Sequence, residues 1–314
     1  FYCDQTEGAL KKAGFEVSSF LVPAGEASKN INEAVEIYNF LIRRCVERND
    51  VVVALGGGMV GDLAGFVAAT YLRGIPWVQV PTSLVGMVDA SIGGKVAVDH
   101  PQGKNLIGAF YQPHFVLADV QTLSTLPQRE LTSGWAEVIK HGLIIDAAFF
   151  KTLEDDAEKL INLASNITAK VIAHSACIKA KIASEDEKET GRRIILNYGH
   201  TVAHGLEAAT GYTTFRHGEA VAIGMMVAAK LSHRLGLLSW SAVQRQQALL
   251  NKFNLPTYCS GVDLNNVLAT MALDKKVRGK AIQWILLEDV GKATVRTNVP
   301  EKEVVNILKE VIKP

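Results

Sequence analysis

The chain has 314 residues, 48% of them hydrophobic, enough for one large or two ordinary domains with a substantial core. A net charge of +1 leaves no electrostatic footprint for nucleic acid, and no apolar run reaches the roughly 20 residues that a membrane helix requires. Cys3, Cys45, Cys177 and Cys259 are widely spaced with no C-x-x-C and no secretory signal, which predicts reduced thiols in a cytoplasmic protein.

Strands and helices alternate in the first half. Phe15–Leu21 reads as a short apolar strand ending at Pro23-Ala24-Gly25. Ile31–Val46 repeats apolar residues with helical period at Ile31, Ala34, Ile37, Leu41 and Cys45. Val51–Leu55 is a continuous apolar run, as in a parallel strand buried on both faces. Gly56-Gly57-Gly58, a small-residue helix from about Val60 to Thr70, and a strand at Trp77–Val80 complete a βαβ unit. From about Glu130 the pattern is helical, over Trp135–Gly142, Phe149–Leu163, Ile167–Ala183, Thr201–Thr210, Glu219–Leu235 and Ser241–Phe253. Ile282–Leu287 is the clear strand here, a candidate partner for Lys292–Thr297. The expected architecture is α/β: a Rossmann-like nucleotide-binding domain over 1–128 and a mainly helical metal- and substrate-binding domain over 129–314, parted at Leu126-Pro127.

Chemistry-bearing residues cluster at a few places. Gly56, Gly58 and Gly61 satisfy G-x-G-x-x-G between strand and helix, where glycines let backbone approach a pyrophosphate and the helix N-terminus favours its charge. The acid expected about 20 residues on is missing, because the second strand ends Gln79-Val80-Pro81. The segments around Gly93-Gly94-Lys95 and Gly103-Lys104-Asn105 read as donor-rich loops suited to phosphate, without the spacing of a P-loop. Glu137 and Lys140 share a helix face, a spacing that by itself suits a surface ion pair. Three histidines fall between Asn197 and Glu219. His200 and His204 lie one helical turn apart, which can chelate a metal, with His217 or Glu219 completing the set. A polar stretch carries Lys179, Lys181, Glu189, Arg192 and Arg193.

The chain resembles the 3-dehydroquinate synthase family over nearly its whole length. The resemblance rests on GGGMVGDLAGFVAATYLRG, VQVPTSLVGMVDASIGGKVAV, GKNLIGAFYQP, TLPQRE, GWAEVIKHG, RRIILNYGHTVAHGLE and HGEAVAIGM, in that order. It implies a homodimeric carbon–oxygen lyase with one NAD and one zinc or cobalt ion per site. The implied reaction turns 3-deoxy-D-arabino-heptulosonate 7-phosphate into 3-dehydroquinate and phosphate in the shikimate pathway. NAD oxidises the substrate transiently, phosphate is eliminated, the hydride returns, and an aldol closes the ring.

Carried over residue by residue, the resemblance puts the metal ligands on Glu137, His200 and His217, and moves His204 off the metal. His204 and Glu189 become proton-handling groups. Lys179 and Arg193 would meet the substrate carboxylate, the guanidinium with two donors. Lys95, Asn105, His204 and Lys276 would meet the phosphate, as would Arg73, which in the family can come from the partner subunit. Asp89, Lys140 and Asn197 would position ring hydroxyls. Glu26 and Lys29 would sit near the adenosine ribose, in place of the missing acid. Gly57, Gly58 and Met59 would cover the pyrophosphate, and Asp62, Thr82, Ser83, Lys104, Thr122 and Thr125 would line the rest. The family also begins with a further segment of roughly 50 residues, about a third of a typical domain, so the chain reads as starting inside its first domain.

Three other activities fit parts of this pattern. Another sugar-phosphate cyclase would have no use for the Lys179–Arg193 pair unless its substrate carried a carboxylate. A metal-dependent polyol dehydrogenase would need no phosphate pocket at Lys95, Asn105 and Lys276. A non-enzymatic paralogue should lack some metal or acid–base residues, and all are present.

Overall fold

The structure, a computed structural model, describes residues 1–278 and 282–313, with side chains for all of these except 273–278. Two compact units divide the chain, Phe1–Leu123 and Ser124–Pro314.

The first unit opens with helix α1 (Cys3–Lys12) and helix α2 (Ile31–Arg43). The side chain of Asn30 caps α2 by accepting from the Glu33 N–H at 3.0 Å, and the helix buries Ala34 and Leu41. Strand β1 (Val52–Gly56), helix α3 (Gly58–Thr70) and strand β2 (Trp77–Pro81) form the βαβ unit, the strands pairing in parallel from Val52↔Trp77 to Gly56↔Pro81. A side chain at Gly61 would collide with Gln79, and one at Gly65 with Trp77 and Val96, so α3 lies directly on the sheet. Leu63, Val67, Ile75 and Trp77 are buried there. Complete burial of such side chains stabilises by roughly 1.5–3 kcal/mol each.

Three expectations fail in this unit. The run Val51–Leu55 is not buried on both faces: Val51 is exposed and only Ala54 of β1 is fully buried. Residues 15–23 form no strand: Phe15 and Leu21 are exposed, and the segment shares no ladder with β1 or β2. An apolar run without a pairing neighbour has nothing to satisfy its backbone as a sheet. The two supposed phosphate loops instead continue into an antiparallel hairpin of β3 (Lys95–His100) and β4 (Gly103–Phe110), in register from Lys95↔Phe110 to Val98↔Ile107 and shifted at His100↔Gly103. Val96 and Val98 alternate inward while Lys95 faces solvent, a period of two that the glycines and lysines mask.

The second unit comprises α4 (Gln128–Ile145), α5 (Ala147–Asp155), α6 (Ala157–Ile161), α7 (Ser165–Glu185), α8 (His200–Ala209), α9 (His217–Arg234), α10 (Trp240–Lys252), β5 (Cys259–Ser260), α11 (Leu264–Arg278), β6 (Trp284–Asp289), β7 (Lys292–Arg296), α12 (Glu301–Val311) and β8 (Ile312–Lys313). The single helix expected over Phe149–Leu163 breaks at Asp156 into α5 and α6. β6 and β7 pair antiparallel, and β5 pairs parallel with β8. Helix α9 is buried from Gly218 to Ala229 except at Glu219, which suits a helix apolar on nearly every side. No helix among the described residues is long and apolar enough to cross a membrane.

Candidate functional site

Backbone packing around α9 decides where its first residue, His217, lies. Gly218 donates its N–H to Ser133 Oγ at 2.9 Å, and a Cβ on Gly218 would fall 1.8 Å from the Ser133 carbonyl oxygen. The start of α9 therefore rests against α4 one turn before Glu137. Gly199 takes φ +82°, a left-handed conformation that glycine tolerates, and a Cβ on Gly224 would fall 2.0 Å from its carbonyl oxygen. This brings the start of α8, and with it His200, against α9.

The result is a cluster of ligand atoms from Glu137, His200 and His217, all within 4.8 Å of one another. Nε2 of His217 lies 3.4 Å and Nε2 of His200 3.7 Å from Oε1 of Glu137. Their Nδ1 atoms face acceptors: the Tyr198 carbonyl at 3.2 Å for His200, and Glu207 Oε1 at 3.1 Å for His217. A carbonyl or carboxylate there calls for Nδ1–H, which in a neutral ring leaves Nε2 a bare lone pair. Glu137 is fully buried, neither of its oxygens has a hydrogen bond of good geometry, and the Lys140 ammonium contacts Oε2. With both rings neutral, two lone pairs would converge on the Glu137 carboxylate, an arrangement that suits a shared cation, either a proton on His217 or a metal ion. Neighbouring ligands of a tetrahedral zinc lie about 3.3 Å apart, close to the separations here. The donor set and its spacing fit a divalent metal.

Charge distribution agrees with that reading. Burial opposes ionisation of Glu137, but Lys140 and the two imidazoles hold it well below the usual carboxylate range. Burial first, and then the Lys140 charge, push His200 well below the usual imidazole range. At His217 burial works against protonation, yet Glu137 and Glu207 together raise it to about 10. The protein without metal thus puts a proton on His217, which a metal would displace.

Of the two other candidates from spacing, neither joins this cluster. His204 is exposed and meets the His200 ring edge-on, with centroids 5.6 Å apart. Glu219 accepts from Arg129 Nε and Nη2 at 2.6 and 2.7 Å and from the Arg216 N–H at 2.9 Å, closing the first turn of α9. Nor is Glu137–Lys140 a surface pair, since both residues are buried.

Elsewhere in this unit, Asn197 Nδ2 donates to Glu189 Oε1 at 2.6 Å, and Glu189 adopts φ +55°. Lys179 on α7 and Arg193 are both buried; Arg193 Nη1 donates to the Glu187 carbonyl at 2.7 Å. Lys276 has its backbone in α11 and its side chain outside the described residues. Sequence reading assigned no role to Glu207 or to the Tyr198 carbonyl. Glu207, seven residues after His200 and so on nearly the same face of α8, was findable; a backbone carbonyl was not.

In the first unit, Lys29 gathers several of the expected nucleotide and phosphate residues. Its Nζ lies 2.5 Å from both Asp62 Oδ2 and Asn105 Oδ1 and 4.0 Å from Glu26 Oε1, which Lys104 Nζ approaches at 3.5 Å. Gly57, Gly58 and Met59 form the entry to α3. The Thr82 N–H donates to the Gly56 carbonyl at 2.8 Å, and Ser83 Oγ accepts from the Gly86 N–H at 3.2 Å. Asp89 lies on a single π-helical turn, Gly86–Ala90. Thr122, in the first unit, and Thr125, the second residue of the second unit, lie on the turn Val120–Thr125, where Thr122 Oγ1 donates to the Asp119 carbonyl at 2.7 Å. Arg73 is exposed, at φ +69°, and Lys95 is exposed on β3.

Known proteins share both sequence and fold with this chain. The family described as 3-dehydroquinate synthase N-terminal matches residues 19–133, and 3-dehydroquinate synthase C-terminal matches residues 134–277. The 3-dehydroquinate synthase of Pelobacter propionicus is 48% identical over 294 residues, covering 94% of this chain and 82% of the relative. That of Synechocystis sp. is 48% identical over 305 residues, covering 96% and 84%. A solved 2-epi-5-epi-valiolone synthase from Streptomyces hygroscopicus subsp. jinggangensis 5008, with NAD+ and Zn2+ bound, matches with TM-score 0.92 at 27% identity, covering 99% of this chain and 87% of that one. A 2-deoxy-scyllo-inosose synthase complexed with carbaglucose-6-phosphate, NAD+ and Co2+ matches with TM-score 0.81 at 31% identity, covering 92% and 81%. Two family matches that together run from residue 19 to residue 277, and relatives this similar over nearly the whole chain, lead to one conclusion: the chain belongs to the 3-dehydroquinate synthase family.

Proposed function

We propose that this chain is an active 3-dehydroquinate synthase, a carbon–oxygen lyase that releases phosphate from 3-deoxy-D-arabino-heptulosonate 7-phosphate and closes the carbocycle. The observation that carries the proposal is the buried Glu137 carboxylate, without a well-formed hydrogen bond and faced by Nε2 of His200 and His217, in a chain of this family. Glu137, His200 and His217 would hold the metal; zinc and cobalt both suit two imidazoles and a carboxylate. When bound, NAD supplies reversible hydride acceptance and the metal supplies Lewis acidity at a substrate hydroxyl.

The remaining chemistry belongs to side chains of this protein. Lys179 and Arg193, buried cations, bind the substrate carboxylate. Asn197 holds the Glu189 carboxylate beside the ring hydroxyls, where it moves protons together with His204. Lys140 and Asp89 orient hydroxyls, and Lys95, Asn105, Lys276 and Arg73 bind phosphate. Glu26, Lys29, Asp62 and Lys104 seat the nucleotide, with Gly57, Gly58 and Met59 at its pyrophosphate and Thr82, Ser83, Thr122 and Thr125 alongside. A cytoplasmic homodimer completes the reading, supported by family membership.

The test is to supply substrate, NAD and zinc and to follow phosphate and 3-dehydroquinate together. Equal amounts of both, with no accumulation of NADH, is the expected result. NADH accumulating on a simple polyol would replace the proposal with a dehydrogenase. Turnover only of a sugar phosphate without a carboxylate would replace it with another cyclase and remove the role given to Lys179 and Arg193.

A further inference from the structure

The two imidazoles of the proposed metal centre are braced differently. His200 Nδ1 donates to a neutral backbone acceptor, the Tyr198 carbonyl, at 3.2 Å. His217 Nδ1 donates to a carboxylate, Glu207 Oε1, at 3.1 Å, and the Glu207 side chain is only 13% exposed. Glu207 sits two helical turns beyond His200. Helix α8 therefore supplies one candidate ligand directly and braces the other, the first residue of α9. A carboxylate behind an imidazole fixes the Nδ1–H tautomer, limits rotation of the ring, and strengthens the opposite nitrogen as a donor.

We propose that Glu207 is a positioning residue that sets the orientation and donor strength of His217 toward a divalent cation. The assignment rests on Glu137, His200 and His217 holding that cation. Glu207 stands behind the His217 ring, and the ring's other nitrogen is the one that faces Glu137. Its effect on chemistry is therefore transmitted through the metal. A merely structural tie between α8 and α9 would change melting of the metal-free protein and leave metal affinity alone.

The experiment uses the full chain, stripped of metal, as wild type, E207Q, E207A and H217A. Zinc affinity is measured by competition with a chromophoric chelator, the coordination geometry by the ligand-field spectrum of added cobalt, and folding by melting of the metal-free protein. Glu207→Gln keeps an acceptor for Nδ1–H and loses the charge, so affinity should fall about 10-fold; Glu207→Ala loses both and should fall about 100-fold with an altered cobalt spectrum. Wild-type affinity and an unchanged cobalt spectrum in E207A would overturn the assignment and leave the metal centre standing. Wild type binding zinc no better than H217A would overturn the metal centre and the assignment together. Should E207A melt far below wild type, E207Q decides: unchanged affinity there overturns the role given to the carboxylate.

Discussion

Replacing Gly224 by alanine should open the candidate metal centre without touching any of its ligands. A Cβ at this position would fall 2.0 Å from the carbonyl oxygen of Gly199, 2.9 Å from its carbonyl carbon and 3.2 Å from the Ala203 nitrogen. Carbon and carbonyl oxygen pack no closer than about 3.3 Å, so α8 must retreat from α9 by about 1.3 Å. The obstacle is backbone, which no rotamer change can relieve. His200 is the next residue after Gly199, whereas metal–ligand distances tolerate only about 0.2 Å. Overpacking costs 1–3 kcal/mol in general, and the upper end, about 3 kcal/mol, is expected here. In a domain of this size that lowers Tm by roughly 6–12 °C. Melting of the metal-free protein and zinc affinity by chelator competition read both effects. Gly8→Ala is the control: nothing lies within 4 Å of its Cβ, and alanine inside α1 should hold or raise stability. A G224A protein that melts with wild type and binds zinc equally well would refute the packing argument.

Three further outcomes are expected. Stripping the protein with a chelator should abolish phosphate release and lower Tm, with zinc or cobalt restoring both, because a metal that binds only the folded chain stabilises it; full turnover by metal-free protein would remove the metal from the mechanism. Arg193→Lys should raise KM roughly 10- to 100-fold, since one charged hydrogen bond to a carboxylate contributes about 1.5–3 kcal/mol; an unchanged KM in a folded variant would take Arg193 off the substrate. Asp146 caps α5 by accepting from the Phe149 N–H at 2.9 Å and pairs with His174 at 2.9 Å. Burial opposes its ionisation, but these partners hold it below its usual range. Its contribution is therefore fully present above the unfolded carboxylate pKa of about 3.9 and is lost as pH falls through the folded value. Asp146→Ala should cost about 1 kcal/mol at neutral pH, a gap to wild type that closes in acid; a gap that widens in acid would contradict the sign.

Local order was legible in the sequence wherever one element's period was unbroken. The succession of Val51–Leu55, Gly56–Gly58 and Trp77–Val80 predicts the βαβ unit that forms, because the turn between strand and helix needs glycine, but the burial on both faces read from the apolar run fails in the first strand, where Val51 is exposed and Ala54 alone is fully buried. The nearly all-round apolar sequence of α9 likewise fixes it as a buried helix. Periodicity says nothing about pairing between segments. It joined His200 to His204, which share a helix, with His217 or Glu219 to complete the set, whereas the fold joins His200 and His217 to Glu137, 63 positions before His200 in the chain. It read Glu137–Lys140 as a surface pair because spacing of three carries no information on burial, and both residues are buried. Val96 and Val98 were hidden among glycines and lysines that suggested loops, and Phe15–Leu21 had the apolar character of a strand without a partner. Residue types and local period thus determined the elements and supplied the donors. Which donors meet was decided by backbone close approach at Gly199, Gly218 and Gly224, a property of packed helices that no single segment contains.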